Sequence, residues 1–124
     1  MRIYATKGFA RFARREKIDD RALIDAIERA ERGLVDADLG GGVIKQRVAR
    51  RGQGRSGGFR TIVFYRRGSR VVFVDGFAKS ARANIDADDL MRFRELASEF
   101  LGYDDRQIAK LVQAGAWIEV LRHG

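Results

Sequence analysis

At 124 residues the chain is long enough for one ordinary domain with a single core, and 45% hydrophobic residues can fill it. It has no cysteine, which removes disulfides, iron–sulfur clusters and thiol nucleophiles and fits a reducing cytoplasm. No apolar run approaches the roughly 18 residues of a spanning helix, the N-terminal MRIYATKGF lacks the apolar stretch of a signal peptide, and the net charge of +8 is strongly uneven.

In chain order, RIYAT (2–6) is short, apolar and β-prone, and predicts a first strand. KGFARFARRE (7–16) places Phe9, Phe12 and Ala13 at helical spacing and predicts a short helix. Asp19 or Asp20 caps a second helix that runs to about Arg32, with Leu23, Ile24, Ile27 and Ala30 on one face and Gly33 at its end. DADLGGG (36–42) reads as a turn-rich loop. Three strand patterns follow: VIKQRV (43–48), FRTIVFYRR (59–67) and RVVFVDGF (70–77), the last two joined by a tight turn at Gly68-Ser69. Asp86 caps a helix over 88–101, and Asp104 or Asp105 caps a last one carrying Ile108, Leu111 and Val112. The tail AWIEVLRHG (116–124) fits neither pattern clearly. The expectation is one α+β domain over 1–124, a core of 1–85 and a C-terminal helical part of 86–124. Its first two helices pack on a small, mostly antiparallel twisted sheet.

Residues 1–38 hold nine Lys/Arg and eight Asp/Glu, residues 75–124 hold seven and nine, and residues 39–74 hold nine and none. The middle third therefore carries the whole excess. Such a block repels itself unless something anionic meets it. Nucleic acid is the first partner to consider, then an acidic protein or an anionic membrane surface; a solvated basic face is the plain alternative.

The densest part is RRGQGRSGGFR (50–60), with four arginines and four glycines. GQGRSG (52–57) matches G-x-G-x-x-G, but a strand pattern follows where the dinucleotide fingerprint needs a helix, and no Gly-Lys-Ser/Thr is present for a P-loop. The stretch reads instead as a mobile loop between two strands. Its glycines let backbone approach a ligand, and its arginines offer forked donors to phosphate. In the flanking strands Lys45 and Arg47 share a face, as do Arg60, Ile62, Phe64 and Arg66. A concave cationic surface suited to RNA results, with Tyr65 or Phe59 as base-stacking partners or, more plainly, as core residues.

Acid–base groups are few. The one histidine, His123, is penultimate, and Ser56 has no histidine base in mid-chain. The carboxylates Asp86, Asp88, Asp89, Asp104 and Asp105 sit at helix starts, where capping explains them without a metal. Lysine, arginine and tyrosine are left. RNA brings its own nucleophile, the 2′-hydroxyl; cations can stabilise the phosphorane, and a lysine amine crowded by arginines can take a proton. Such a site works efficiently only when something else aligns the substrate.

KQRVARRGQGRSGGFRTIVFYRRGSRVVFVDGFAKSARANID (45–86) resembles the RelE/ParE superfamily of toxins from bacterial type II toxin–antitoxin modules, and within it the longer HigB-like group. The basic strand, the GGFRTIVFY strand and VDGFAKSARANI after the last strand carry the resemblance, which extends over most of the chain. It implies a compact RelE-like fold and a cytoplasmic, metal- and cofactor-independent endoribonuclease that cuts mRNA on the ribosome and inhibits translation. It also implies a cognate antitoxin, of the helix-turn-helix DNA-binding kind, and no membrane partner. ParE-like relatives instead poison DNA gyrase; a non-enzymatic nucleic-acid-binding module is a third possibility. Position by position, Lys45 and Arg47 match the basic strand residues, Arg60 the arginine of the G-[FY]-R strand, and Lys79 and Arg82 the basic residues after the last strand. Those five are the candidate catalytic residues, with Arg50, Arg51, Arg55 and Arg66 as RNA contacts. A catalytic tyrosine of the family has its counterpart near Ile85-Asp86, a departure that leaves the proton donor unassigned. Plainer roles also exist: solvated strand positions for Lys45 and Arg47, an internal salt bridge from Arg60 to Asp75, and cover of a sheet edge for Lys79 and Arg82.

Overall fold

Strand β1 (Arg2–Thr6) runs directly into helix α1 (Lys7–Arg15), and the Thr6 hydroxyl marks the boundary by accepting the Phe9 amide at 3.2 Å. Helix α2 (Asp20–Glu31) starts at Asp19, whose carboxylate accepts the Ala22 amide at 2.9 Å. Four strands follow: β2 (Ala37–Gly40), β3 (Val43–Arg50), β4 (Gly54–Arg66) and β5 (Arg70–Ala78). Asp86 caps α3 (Ala87–Gly102), and Asp104 caps α4 (Asp105–Gln113) with Gln107 closing a reciprocal capping box. The tail returns as β6 (Trp117–Val120). The structure, a computed structural model, describes residues 1–50, 54–78 and 85–121; of residues 50 and 54–57 it describes the backbone alone.

The six strands form one sheet in the order β2-β3-β4-β5-β1-β6. Only the β1–β5 pairing is parallel; the other four are antiparallel. Both faces are covered, because strand residues of each parity are apolar. On one face α1 and α2 bring Phe9, Ala13, Leu23 and Ile27 onto Ile44, Val48, Phe59, Val63 and Phe73. On the other, α3 and α4 bring Ala97, Leu101 and Ile108 onto Tyr4, Val43, Phe64, Val72 and Trp117. The fold is α+β, as expected, with the early helices on one face of a mostly antiparallel sheet.

The second face is covered unevenly, and this positions the site. Phe64 meets Phe93 and Phe100 at ring-centroid distances of 6.3 and 5.5 Å. The C-terminal carbonyls of α3 take hydrogen bonds from the hairpin below: Arg66 Nη1 donates to Leu101 O at 2.7 Å, and Arg70 Nη1 to Phe100 O and Leu101 O at 3.1 and 3.2 Å. These arginines supply the cationic cap that the last turn of α3 lacks. Arg94 of α3 donates to Leu39 O on β2. The helix is thus anchored over the Val43–Phe64 end of the sheet, while β3 and β4 continue beyond it.

Three expectations are corrected. Residues 37–40, expected as loop, form β2 by pairing with Val43–Lys45. The loop expected between the two basic strands is largely strand: β4 begins at Gly54, which pairs with Arg50 after a register shift past Val48. That leaves 51–53 as the connection, outside the described residues. Between β4 and β5 the turn has three residues, Arg67–Ser69, rather than two; Gly68 adopts φ 71°, and Ser69 N–H donates to Arg66 O at 3.0 Å.

Candidate nucleic-acid interface

Alternation along β3 and β4 sorts their residues by face. Ile44, Gln46 and Val48 on β3, and Phe59, Thr61 and Val63 on β4, turn toward α1 and α2. Lys45, Arg47 and Arg60 turn to the opposite face, beside Ile62, which is fully buried in the second core. Arg47 stands directly opposite Arg60, and Lys45 opposite Ile62. Lys45 is therefore the diagonal neighbour of Arg60, at about 7–8 Å between strand positions. Arg47 is exposed, Lys45 and Arg60 half-buried.

Like charges set directly across a sheet weigh against the fold. Among the described residues, no ion pair or hydrogen bond engages the side chains of Lys45, Arg47 or Arg60. Arg60 Nη1 is fully buried and has no hydrogen-bond partner. An orphaned donor of this kind costs about 1–3 kcal/mol, more for a charged group. Among the described residues no ion pair joins Arg60 to Asp75; Asp75, opposite Ile62, accepts the Gly76 amide at 2.9 Å as one of its contacts. Among the described residues this atom meets no acceptor, and a phosphate oxygen is the kind of acceptor that the half-buried guanidinium fork takes.

The remaining sequence candidates fall elsewhere. Arg66 lies six residues along β4 from Arg60, roughly 20 Å at strand rise, with its guanidinium on Leu101 O; it belongs to the α3 anchor and not to this cluster. Arg51, Lys79, Arg82 and His123 lie outside the described residues, as do the side chains of Arg50 and Arg55. Phe59 is 1% exposed in the core under α1, and Tyr65 packs on that same face with its hydroxyl donated to Glu31. Neither can stack on a base at the cationic face, so core packing is their role. The other two tyrosines are also engaged: Tyr4 packs on Trp117, and Tyr103 donates to Glu99 at 2.8 Å. Where the family tyrosine would stand, Ile85 packs on the second core and Asp86 caps α3.

Sequence reasoning missed a polar cluster under β3. Arg29, Gln46 and Asp36 meet there, Gln46 fully buried and Arg29 4% exposed. A charged residue inside the α2 pattern and a glutamine inside a strand were the available signals.

A family model described as the RelE toxin of the RelE/RelB toxin–antitoxin system matches residues 1–120. No curated protein matches the chain.

Proposed function

Because that match spans all but the last four residues, the chain belongs to the RelE toxin family, and from this membership we propose that it is a metal-independent endoribonuclease cutting mRNA on the ribosome. Membership makes it the toxin of a toxin–antitoxin pair and implies an antitoxin partner. The observation that carries the finer reading is the juxtaposition of Lys45, Arg47 and Arg60 on one half-face, without carboxylate partners among the described residues and with Arg60 Nη1 orphaned among them.

In the proposed reaction the 2′-oxygen attacks the adjacent phosphorus and gives up its proton, and the P–O5′ bond breaks as the 5′-oxygen takes one. A 2′,3′-cyclic phosphate and a 5′-hydroxyl result, with no water or metal consumed. Arg60 and Arg82 neutralise the charge that builds on the phosphorane oxygens. Arg47 holds the phosphate in line, and Lys45 and Lys79 carry the protons. All three tyrosines being engaged elsewhere, lysine or solvent takes the part that a tyrosine plays in relatives. Arg50, Arg51 and Arg55 grip ribosomal or messenger RNA. The ribosome supplies the alignment that so sparse a site lacks. The HigB-like branch and a helix-turn-helix antitoxin belong to the same reading.

Expression alone and with the neighbouring reading frame tests the module: growth arrest is expected only without the partner. Mapping of message ends on translating ribosomes tests the chemistry. Arg60→Ala is expected to cut about 10²–10³-fold more slowly than wild type, with Lys45→Ala also impaired. Messages left intact beside DNA damage would assign the toxicity to a topoisomerase instead, and cleavage undiminished in both variants would remove these residues from the chemistry.

A further inference from the structure

The strand that carries Lys45 and Arg47 is held from behind. Gly42 O accepts the Tyr65 amide, so the even-numbered residues of β3 turn their backbone groups to β4, and the odd-numbered ones turn toward β2. The β2 ladder reaches Lys45, paired with Ala37, and goes no further. Arg47 thus lies past the end of the ladder, with amide and carbonyl facing no strand. Two side chains take the place of one. Asp36 Oδ2 accepts the Arg47 amide at 2.7 Å, and the Arg29 guanidinium donates to Arg47 O. Arg29 Nη1 is 3.7 Å from the same Asp36 oxygen, so the two halves of the clamp are tied together.

The clamp is itself braced. Gln46 Nε2 donates to Ala26 O of α2 at 2.8 Å and to Leu34 O at 3.1 Å, and Gln46 Oε1 accepts the Asp36 amide at 3.0 Å. On the other side Thr61 Oγ1 donates to Gln46 O at 2.8 Å, joining β4 to the same point. Arg29 also lies 3.5 Å from Asp25 one turn back. The arrangement couples α2, the α2–β2 connection, β3 and β4 where three cations crowd the opposite face. It is costly in itself: Arg29 is nearly fully buried, and its Nε has no hydrogen-bond partner. Apolar residues in these positions would cover the core at lower cost.

We propose that Arg29 and Asp36 are positioning residues of the cationic site: by holding both backbone polar groups of Arg47, they fix the height and direction of β3, and so aim Arg47 and Lys45 at the phosphate beside Arg60. Repulsion between Arg47 and Arg60 tends to part the strands at this point, and the clamp opposes it with one guanidinium and two carboxylates on the far face. Lysine cannot replace Arg29, because a point charge lacks the fork that reaches Arg47 O and Asp36 together. For its catalytic consequence the proposal rests on the nuclease reading; for its geometry it does not.

The test uses the full chain with Arg29→Lys and, separately, Asp36→Ala on the more accessible side chain. Amide hydrogen exchange is followed at Arg47 and at Val63 and Val72. Cleavage of message on programmed ribosomes is followed at saturating toxin, and affinity is measured with a short RNA oligonucleotide. Arg47 exchange is expected to rise by at least about 10-fold with Val63 and Val72 unchanged, and the saturating cleavage rate to fall by a similar factor while affinity shifts less than about threefold. Wild-type exchange at Arg47 in Asp36→Ala overturns the clamp, as does a wild-type cleavage rate in both variants. Acceleration of all three amides together in Asp36→Ala reduces the cluster to a stabilising role and also overturns it. If the unaltered chain cuts no message, the nuclease reading falls by itself, and the exchange measurement still decides whether Arg47 is held in this way.

Discussion

Tyr65 donates its phenolic proton to Glu31 across the α2–β4 contact. Burial, and then that hydrogen bond to a carboxylate, push its pKa well above the ordinary phenol range; burial raises Tyr4 in the same direction. The unfolded chain ionises tyrosine near pH 10, while the folded chain keeps these protons. Above that pH the folded state binds more protons, so stability falls as pH rises. The contribution is complete below the unfolded value and is lost on the way up through the folded ones. Urea midpoints at pH 9 and pH 11 are expected to differ more for wild type than for Tyr65→Phe, and equal slopes would remove the Tyr65 share. At this scale much was legible. The strand alternation that put Lys45 with Arg47, and Arg60 with Ile62, survives intact because period 2 is a property of any strand. Arg29 was not legible: helical spacing assigned Leu23, Ile24 and Ile27 inward, and nothing in the string says that a neighbouring guanidinium finds Arg47 O once the strand is laid beneath it.

At the scale of elements, α1 lies so close to β5 that Phe12 rests on Gly76: a Cβ there would be 2.4 Å from Phe12 Cε2. The ring has no easy retreat, since it meets Phe59 edge-on at 5.4 Å and 88°. Gly76→Ala is expected to lower unfolding stability by about 1–3 kcal/mol through overpacking. In a denaturant double-mutant cycle with Phe12→Ala, the pair should cost less than the sum of the single changes, because truncating the ring frees the space; strict additivity would place the strain elsewhere. Elements whose signal is local were read correctly: the capped helices at Asp19, Asp86 and Asp104, and the β-branched strands. The misread ones owe their state to a neighbour. Ala37–Gly40 and Gly54–Gly58 are weak strand formers, and they are strands because β3 offers a ladder. The tail resolved as β6 for the same reason, by pairing with β1.

Over the whole molecule, the excess charge and the layering act together. A sheet covered on both sides buries its basic strands' apolar residues and leaves the cations of one half-face outside the cover of α3. The sequence locates the charge in residues 39–74 but not its division, since Arg66 and Arg70 hold the carbonyls of α3 while Lys45, Arg47 and Arg60 stay unpaired among the described residues. That division sets how strongly RNA binding depends on salt. Each phosphate neutralised on a single strand contributes about −0.7 to the slope of log K against log salt. Lys45, Arg47 and Arg60, each neutralising one phosphate, then give a slope near −2 for a short unstructured oligonucleotide, more negative by whatever Arg50, Arg51 and Arg55 add. Arg47→Ala is expected to flatten the slope by about 0.7, whereas Arg66→Ala should leave it unchanged and instead loosen α3, seen as faster amide exchange in its last turn. If Arg66→Ala flattens the slope as much as Arg47→Ala, the RNA runs along the full length of β4 and the half-face assignment is wrong.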